Sequence, residues 1–195
     1  MAEIEIGKFT LESLTTGMYN DPEIIYREYI QNAVDSFDSA VAQGLMTYDD
    51  CRIEIIVDSD SQEISIKDNG TGVQKEWAQK TLLDIGNSSK KHYSNRGFRG
   101  IGRLGGLSYC EKLSFCTSAQ NEPVKTLITF DCQKLKELLV PGVASDNNLQ
   151  MVISAVTNVQ VLSEQASAHY FIVKMEGIDE MSLLLDIDFV KDYIS

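Results

Sequence analysis

The strongest constraint in this 195-residue sequence is a run of apolar residues at helical spacing, Ile24, Ile25, Tyr29, Ile30, Ala33, Val34, Phe37 and Val41. Asp21-Pro22-Glu23 precedes it as an N-cap, a first-turn proline and a first-turn acid, and Gly44 stands where such a helix stops. A helix with one apolar stripe must bury that stripe against another element. The rest of the chain offers strands to receive it. Arg52–Val57 and Glu63–Lys67 alternate in character around the polar turn Asp58-Ser59-Asp60-Ser61-Gln62, which predicts a hairpin. Further strands are expected at Lys112–Thr117, Val124–Phe130, Gln150–Val161 and Tyr170–Met175, with a short strand-like start at Ile4–Phe9. Consecutive strands of this kind suggest an antiparallel sheet. Glu76–Ile85 reads as a second helix, and Leu183–Ile194 as an amphipathic helix or a lead into more chain.

Composition narrows the function classes. Seventeen basic residues against 29 acidic ones leave a formal charge of -12, which argues against general affinity for nucleic acid or an anionic membrane surface. Any anion must be held by a local site. Cys51, Cys110, Cys116 and Cys132 form no CxxC pair, and no histidines stand at zinc-ligand spacing, so reduced, partly buried thiols are expected. No apolar run approaches the ~20 residues of a membrane helix, and the start MAEIEIGK is acidic, so a cytoplasmic location is expected.

Three segments carry chemistry. On the first helix Glu28, Asn32 and Asp35 stand at i, i+4 and i+7, which puts two carboxylates and an amide on one face. An amide oxygen is a hard, neutral ligand suited to Mg2+, and a carboxylate one turn earlier can take a proton from an attacking water. In isolation the same pattern describes a solvated polar stripe. Asp68-Asn69-Gly70-Thr71-Gly72 follows a strand. Asp68 there can accept a hydrogen bond from an exocyclic amine such as that of adenine, while Gly70 and Gly72 let a base approach the backbone; alone, this is also a glycine-rich turn. From Gly86 to Gly106 the chain is rich in glycine, serine and basic residues, which reads as a mobile loop. Within it Gly97-Phe98-Arg99-Gly100-Ile101-Gly102 offers backbone N–H groups to phosphate oxygens, Arg103-Leu104-Gly105-Gly106-Leu107 can open a helix aimed at them, and Arg96, Arg99 and Arg103 add positive charge. The pattern is neither the GxGxxG of dinucleotide folds nor a P-loop.

The order of these segments resembles the GHKL (Bergerat-fold) ATPase superfamily, in its heat-shock protein 90 and MutL branch. Glu28 to Asp35 is similar to that family's N-box, Asp68 to Gly72 to its first glycine box and Gly97 to Gly102 to its second. The resemblance implies a two-layer α/β sandwich, with a mostly antiparallel mixed sheet covered on one face by helices, and ATP and Mg2+ held between the helices and a lid. It implies Glu28 as general base, Asn32 as Mg2+ ligand, Asp68 as adenine reader and Gly97, Gly100 and Gly102, with Arg99 and Ile101 among them, as the lid's phosphate cradle. Asp35 matches the motif without a defined role. Ser88-Ser89-Lys90 resembles the stretch that contacts phosphate near the start of the lid, and is equally a solvated loop. Keeping Glu28 favours hydrolysis over the phosphotransfer of the superfamily's sensor kinases.

One departure stands out. Many members carry a Gly-Thr pair before the final strand, with the threonine near the adenine, where this chain has Ser167-Ala168-His169-Tyr170-Phe171. His169 either replaces that hydrogen bond or is structural. The expectation is therefore a single ATP-binding domain over 1–195, the N-terminal part of a longer protein whose transducer domain is absent. It would hydrolyse ATP to ADP and close its lid to form a homodimer acting on an unidentified client. The alternative is a nucleotide-gated interaction module that does not hydrolyse.

Overall fold

The computed structural model describes residues 21–83, 102–139 and 149–195. Ile4–Phe9, Ser88-Ser89-Lys90, and Gly97 to Ile101 with Arg99 and Gly100 lie outside the described residues.

The first helix, α1, spans Ile24–Ala42. It starts slightly later than an Asp21 cap would place it, because Ile24 and Ile25 N–H bond back to the Asp21 and Pro22 carbonyls at 3.2 Å in a tighter three-residue turn. Its end is the expected one. Gly44 takes φ +70°, Leu45 N–H bonds to Ala40 C=O and Gly44 N–H to Val41 C=O, both at 3.0 Å, the pair of bonds that closes a helix on a left-handed residue. Strands β1 (Ile53–Asp58) and β2 (Glu63–Asp68) form the hairpin, with Gln62 at φ +57° and Asp58 Oδ1 accepting from Asp60 and Ser61 N–H at 3.1 Å. Then come α2 (Lys75–Leu83), a 3-10 segment Gly102–Ser108, β3 (Lys112–Ser118), β4 (Val124–Asp131), α3 (Cys132–Leu139), α4 (Leu149–Val156), β5 (Thr157–Ser163), β6 (Tyr170–Glu176) and α5 (Ile187–Ile194).

Two expectations need correction. Gln150–Val161 is not one strand: its first half is α4 and only Thr157 onward is β5. The buried residues Val152, Ile153 and Val156 are spaced i, i+1, i+4, the helical pattern, so burial of that stripe overrides the strand propensity of the valines and isoleucine. Cys132–Leu139, for which the sequence reading assigns no element, forms a helix with Cys132, Leu135 and Leu139 buried at i, i+3 and i+7. The tail splits into a 3-10 turn, Leu183–Leu185, and α5, which Asp186 caps by accepting from Asp188 and Phe189 N–H at 3.0 Å.

The six strands run in the order β1-β2-β6-β3-β4-β5, antiparallel at every pairing among the described residues. Register assigns the faces. Ile55, Ile66, Val173, Phe115 and Ile128 align across five strands, and their neighbours two residues away, Ile64, Met175, Leu113 and Phe130, join them on the same side. This side is the core. Phe115, at its centre, is fully buried and meets Phe130 edge-on at 5.9 Å and Phe171 at 5.7 Å. Ile25, Tyr26 and Tyr29 of α1 and Leu104 and Leu107 of the 3-10 segment complete the same cluster. The opposite face carries charge: Lys174 bridges Glu63 at 3.0 Å and Glu176 at 3.3 Å, and Lys112 meets Glu176 at 2.9 Å. Among the described residues the result is two layers, with the helices packed on one face of the sheet, as expected.

Gly106 allows the layers to meet. A Cβ there would lie 2.7 Å from Tyr29 Oη, 3.0 Å from Met175 Sδ and 3.1 Å from Leu113 Cδ1, so the 3-10 segment reaches the sheet beneath α1 only because position 106 has no side chain.

Candidate nucleotide site

Asp68 ends β2 on the helix-covered face, in register with Ile53 of β1 and Phe171 of β6. It is 6% exposed. Burial pushes its carboxyl up to about 6, opposed by hydrogen bonds from the Gly70 N–H and the Ser36 hydroxyl. The Gly70 N–H lies 2.9 Å from Asp68 Oδ1. One carboxylate oxygen is thus occupied by the turn that follows it.

The glycine turn is fastened on every side. Thr71 N–H donates to Ser36 Oγ at 3.0 Å, and the Gly70 carbonyl lies 2.7 Å from His169 Nδ1. Val73 N–H donates to Thr117 Oγ1 at 2.8 Å, and that hydroxyl donates on to the Tyr170 carbonyl at 3.0 Å. Asn69 points elsewhere: its Oδ1 accepts from Arg52 N–H at 2.8 Å and its Nδ2 donates to the Asp50 carbonyl at 2.9 Å, which ties the end of the hairpin. Gly70 and Gly72 are obligatory for contact reasons. A Cβ on Gly70 would collide with Ser36 Oγ and lie 2.7 Å from Ser36 Cβ; one on Gly72, at φ +62°, would collide with the Ser118 carbonyl oxygen and lie 2.9 Å from that of Tyr170.

On α1, Glu28, Asn32 and Ser36 succeed one another at four-residue intervals beside the buried stripe of Ile25, Tyr29, Ala33 and Ala40. Glu28 is half-buried, and its carboxylate lies directly against the Cα of Gly102, where a Cβ would run into it. The first residue of the N-box and the last glycine of the second glycine box are therefore in contact. Asn32 is half-buried between Glu28 and Ser36 along the helix. Asp35 accepts from Gln31 Nε2 at 3.1 Å, a bond within its own helix. Tyr29 holds the 3-10 segment: its hydroxyl donates to the Arg103 carbonyl and accepts from Gly106 N–H, both at 3.1 Å.

Ser36, Tyr29 and His169 are the residues that sequence reasoning did not assign to the site. Ser36 had a signal, since it extends the four-residue spacing of Glu28 and Asn32 by one step. Tyr29 looks like any apolar member of the helix stripe. His169 is 99 residues from the carbonyl it meets, a separation that no local pattern reveals.

The profile of the family described as "Histidine kinase-, DNA gyrase B-, and HSP90-like ATPase" matches residues 19–167. The chain belongs to this ATPase family. Among relatives of the domain, Chaperone protein HtpG of Acinetobacter baylyi is 32% identical over 92 residues, covering 44% of this chain and 14% of the relative. Chaperone protein HtpG of Halalkalibacterium halodurans is 27% identical over 132 residues, 60% of this chain and 21% of the relative. An Endoplasmin homolog of Leishmania donovani is 29% identical over 116 residues, 53% and 15%. The matched part thus spans about a fifth or less of the length of these relatives. Family membership implies an ATP-binding pocket, and the two layers with their one-sided helices are consistent with the family's fold. Among the described residues no group of three or more His, Cys, Asp or Glu side chains is placed to hold a metal ion, and no helix is long and apolar enough to cross a membrane. The four cysteines are free, as expected, with Cys110 and Cys132 buried and their sulfurs 3.9 Å apart.

Proposed function

We propose that this domain binds ATP with Mg2+ and hydrolyses it, as the nucleotide-driven part of a larger heat-shock protein 90-like chaperone machine. The observation that carries the reading is the buried Asp68 carboxylate. One of its oxygens is held by Gly70 N–H, and its remaining acceptor capacity suits an exocyclic amine.

The residues fit the ligand. Gly70 and Gly72 let the turn pack against Ser36 and the ends of β3 and β6, which fixes the Asp68 carboxylate, and Asn32 supplies one neutral oxygen. A Mg2+ ion held mainly by phosphates and water needs no all-protein cage, in accord with the lack of an acidic cluster among the described residues. When bound, Mg2+ would neutralise phosphate charge in the transition state. Asp68 would accept from the base and Asn32 would help to hold the metal. Glu28 orients a water and takes its proton, with Gly102 leaving its carboxylate unobstructed. Gly97, Arg99, Gly100 and Ile101, with Ser88, Ser89 and Lys90, are proposed to engage the phosphates as the lid closes. Closure in the longer protein is proposed to form a homodimer that acts on a client in the cytoplasm.

Calorimetric titration with ATP, with and without Mg2+, tests the binding. Asp68→Asn is expected to weaken it tenfold or more, roughly 1.4 kcal/mol. Glu28→Ala should abolish turnover while ATP still binds. A wild-type protein that takes up no ATP refutes the reading; one that binds ATP with no Glu28-dependent turnover is a nucleotide-gated interaction module.

A further inference from the structure

One peptide group in the glycine turn is clamped at both ends. The C=O of the Gly70–Thr71 peptide meets His169 Nδ1 at 2.7 Å, and its N–H donates to Ser36 Oγ at 3.0 Å. A carbonyl only accepts, so Nδ1 must carry the proton, and in the neutral ring Nε2 is left as an acceptor. The preceding peptide contributes Gly70 N–H to Asp68 Oδ1 at 2.9 Å. Ser36 and His169 stand on opposite sides of the turn, one on α1 and the other just ahead of β6. Rotating the clamped peptide would break both bonds and release the turn that holds the neighbouring Asn69–Gly70 peptide, whose N–H meets the carboxylate.

We infer that His169 is a positioning residue for base recognition: by holding the Gly70 carbonyl it fixes the glycine turn, and through Gly70 N–H it aims the other oxygen of Asp68 at an exocyclic amine. The inference rests on the ATP-binding reading and deepens it by naming what makes the site select an amino-purine. Thr117 and Ser36 hold the turn by hydroxyls; His169 alone among these three does so with a ring whose proton is committed to one nitrogen.

The test compares ATP with inosine triphosphate, which carries a carbonyl where ATP carries the amine. His169→Ala should weaken ATP binding about fivefold, the worth of one neutral hydrogen bond, while leaving the affinity for inosine triphosphate within twofold. His169→Asn, whose amide puts a donor where Nδ1 stands, should restore most of the preference for ATP. Asp68→Asn combined with His169→Ala should be no worse than Asp68→Asn alone, because both act on one contact. Equal losses for the two nucleotides, or a His169→Asn no better than His169→Ala, would overturn the inference while leaving ATP binding intact. A wild type that binds neither nucleotide refutes the ATP reading instead. In that case the clamp is still tested by nitrogen NMR of the imidazoles, of which the sequence has two: the neutral ring of His169 should be the Nδ1-protonated tautomer, and an Nε2-protonated ring would overturn the clamp itself.

Discussion

Three glycines adopt nearly the same left-handed backbone yet differ in what surrounds them: Gly44 at φ +70°, Gly72 at +62° and Gly177 at +70°. Replacing each by alanine separates conformational strain from collision. At Gly44 nothing lies within 4 Å of an added Cβ. Gly44→Ala should therefore cost only the left-handed penalty of ~1–2 kcal/mol, reduced by the lost freedom of the unfolded chain to about 1 kcal/mol net. At Gly72 the same penalty is joined by collision with the Ser118 carbonyl and contact with that of Tyr170, backbone atoms on two paired strands. Displacing them adds the ~1–3 kcal/mol typical of overpacking, so Gly72→Ala should lose about 2–4 kcal/mol. For a domain of this size that is a fall in melting temperature of roughly 4–16 °C. At Gly177 the clash is with the Glu111 side chain, whose exposed Cγ at 2.6 Å can rotate away while Cβ at 2.8 Å moves only with its backbone, so the loss should fall between the two. Urea melts of the three variants give the order directly. A Gly72→Ala variant within ~0.5 kcal/mol of Gly44→Ala would refute the claim that the glycine turn is packed directly onto the ends of β3 and β6.

Two further expectations concern the site. Asp68 ionises near 6 in the folded protein against an ordinary 3.8, so it contributes stability that is fully present below the unfolded value and lost as pH rises through about 6. If Asp68 reads the base as proposed, ATP affinity should fall as pH drops below about 6, and Asp68→Asn should flatten that dependence; an unchanged slope in the variant would assign it to another group. Gly102→Ala would press on the Glu28 carboxylate, the far end of a flexible side chain. Stability should change little and ATP affinity less than about threefold, while turnover drops by tenfold or more because a displaced base misaligns its water; retained turnover would remove Glu28 from that role.

What the sequence revealed followed from periodicity. The helix over Ile24–Ala42, the hairpin, β4 and β6 announce themselves because one face of each is the more buried and the burial repeats at 3.6 or 2 residues. Gln150–Val161 misled because valine and isoleucine suit either state, and only burial of Val152, Ile153 and Val156 on one helical stripe decides between them. The site was legible as types and order: Glu28 does lie against Gly102 and Asp68 does bond Gly70. Its fastenings were not. Ser36 to Thr71, Tyr29 to Gly106 and His169 to Gly70 join residues 35, 77 and 99 positions apart, and such pairings exist only after the sheet has set the distances. Asp35, which the motif includes, bonds Gln31 on its own helix.

The alternation of the β1–β2–β6 ladder makes the site a matter of parity. Asp68 faces the helices because it is an even number of residues from Ile64 and Ile66, each fixed in register opposite Met175 and Val173. One residue inserted between Ile66 and Asp68 would turn the carboxylate to the side where Lys67 now stands, leaving the ladder hydrogen-bonded and the core filled. Two inserted residues would restore the facing while carrying it about 7 Å farther along the strand. Length changes in β2 are thus graded by oddness before size, and a chain of this kind can lose its ligand through a one-residue shift that leaves its fold in place.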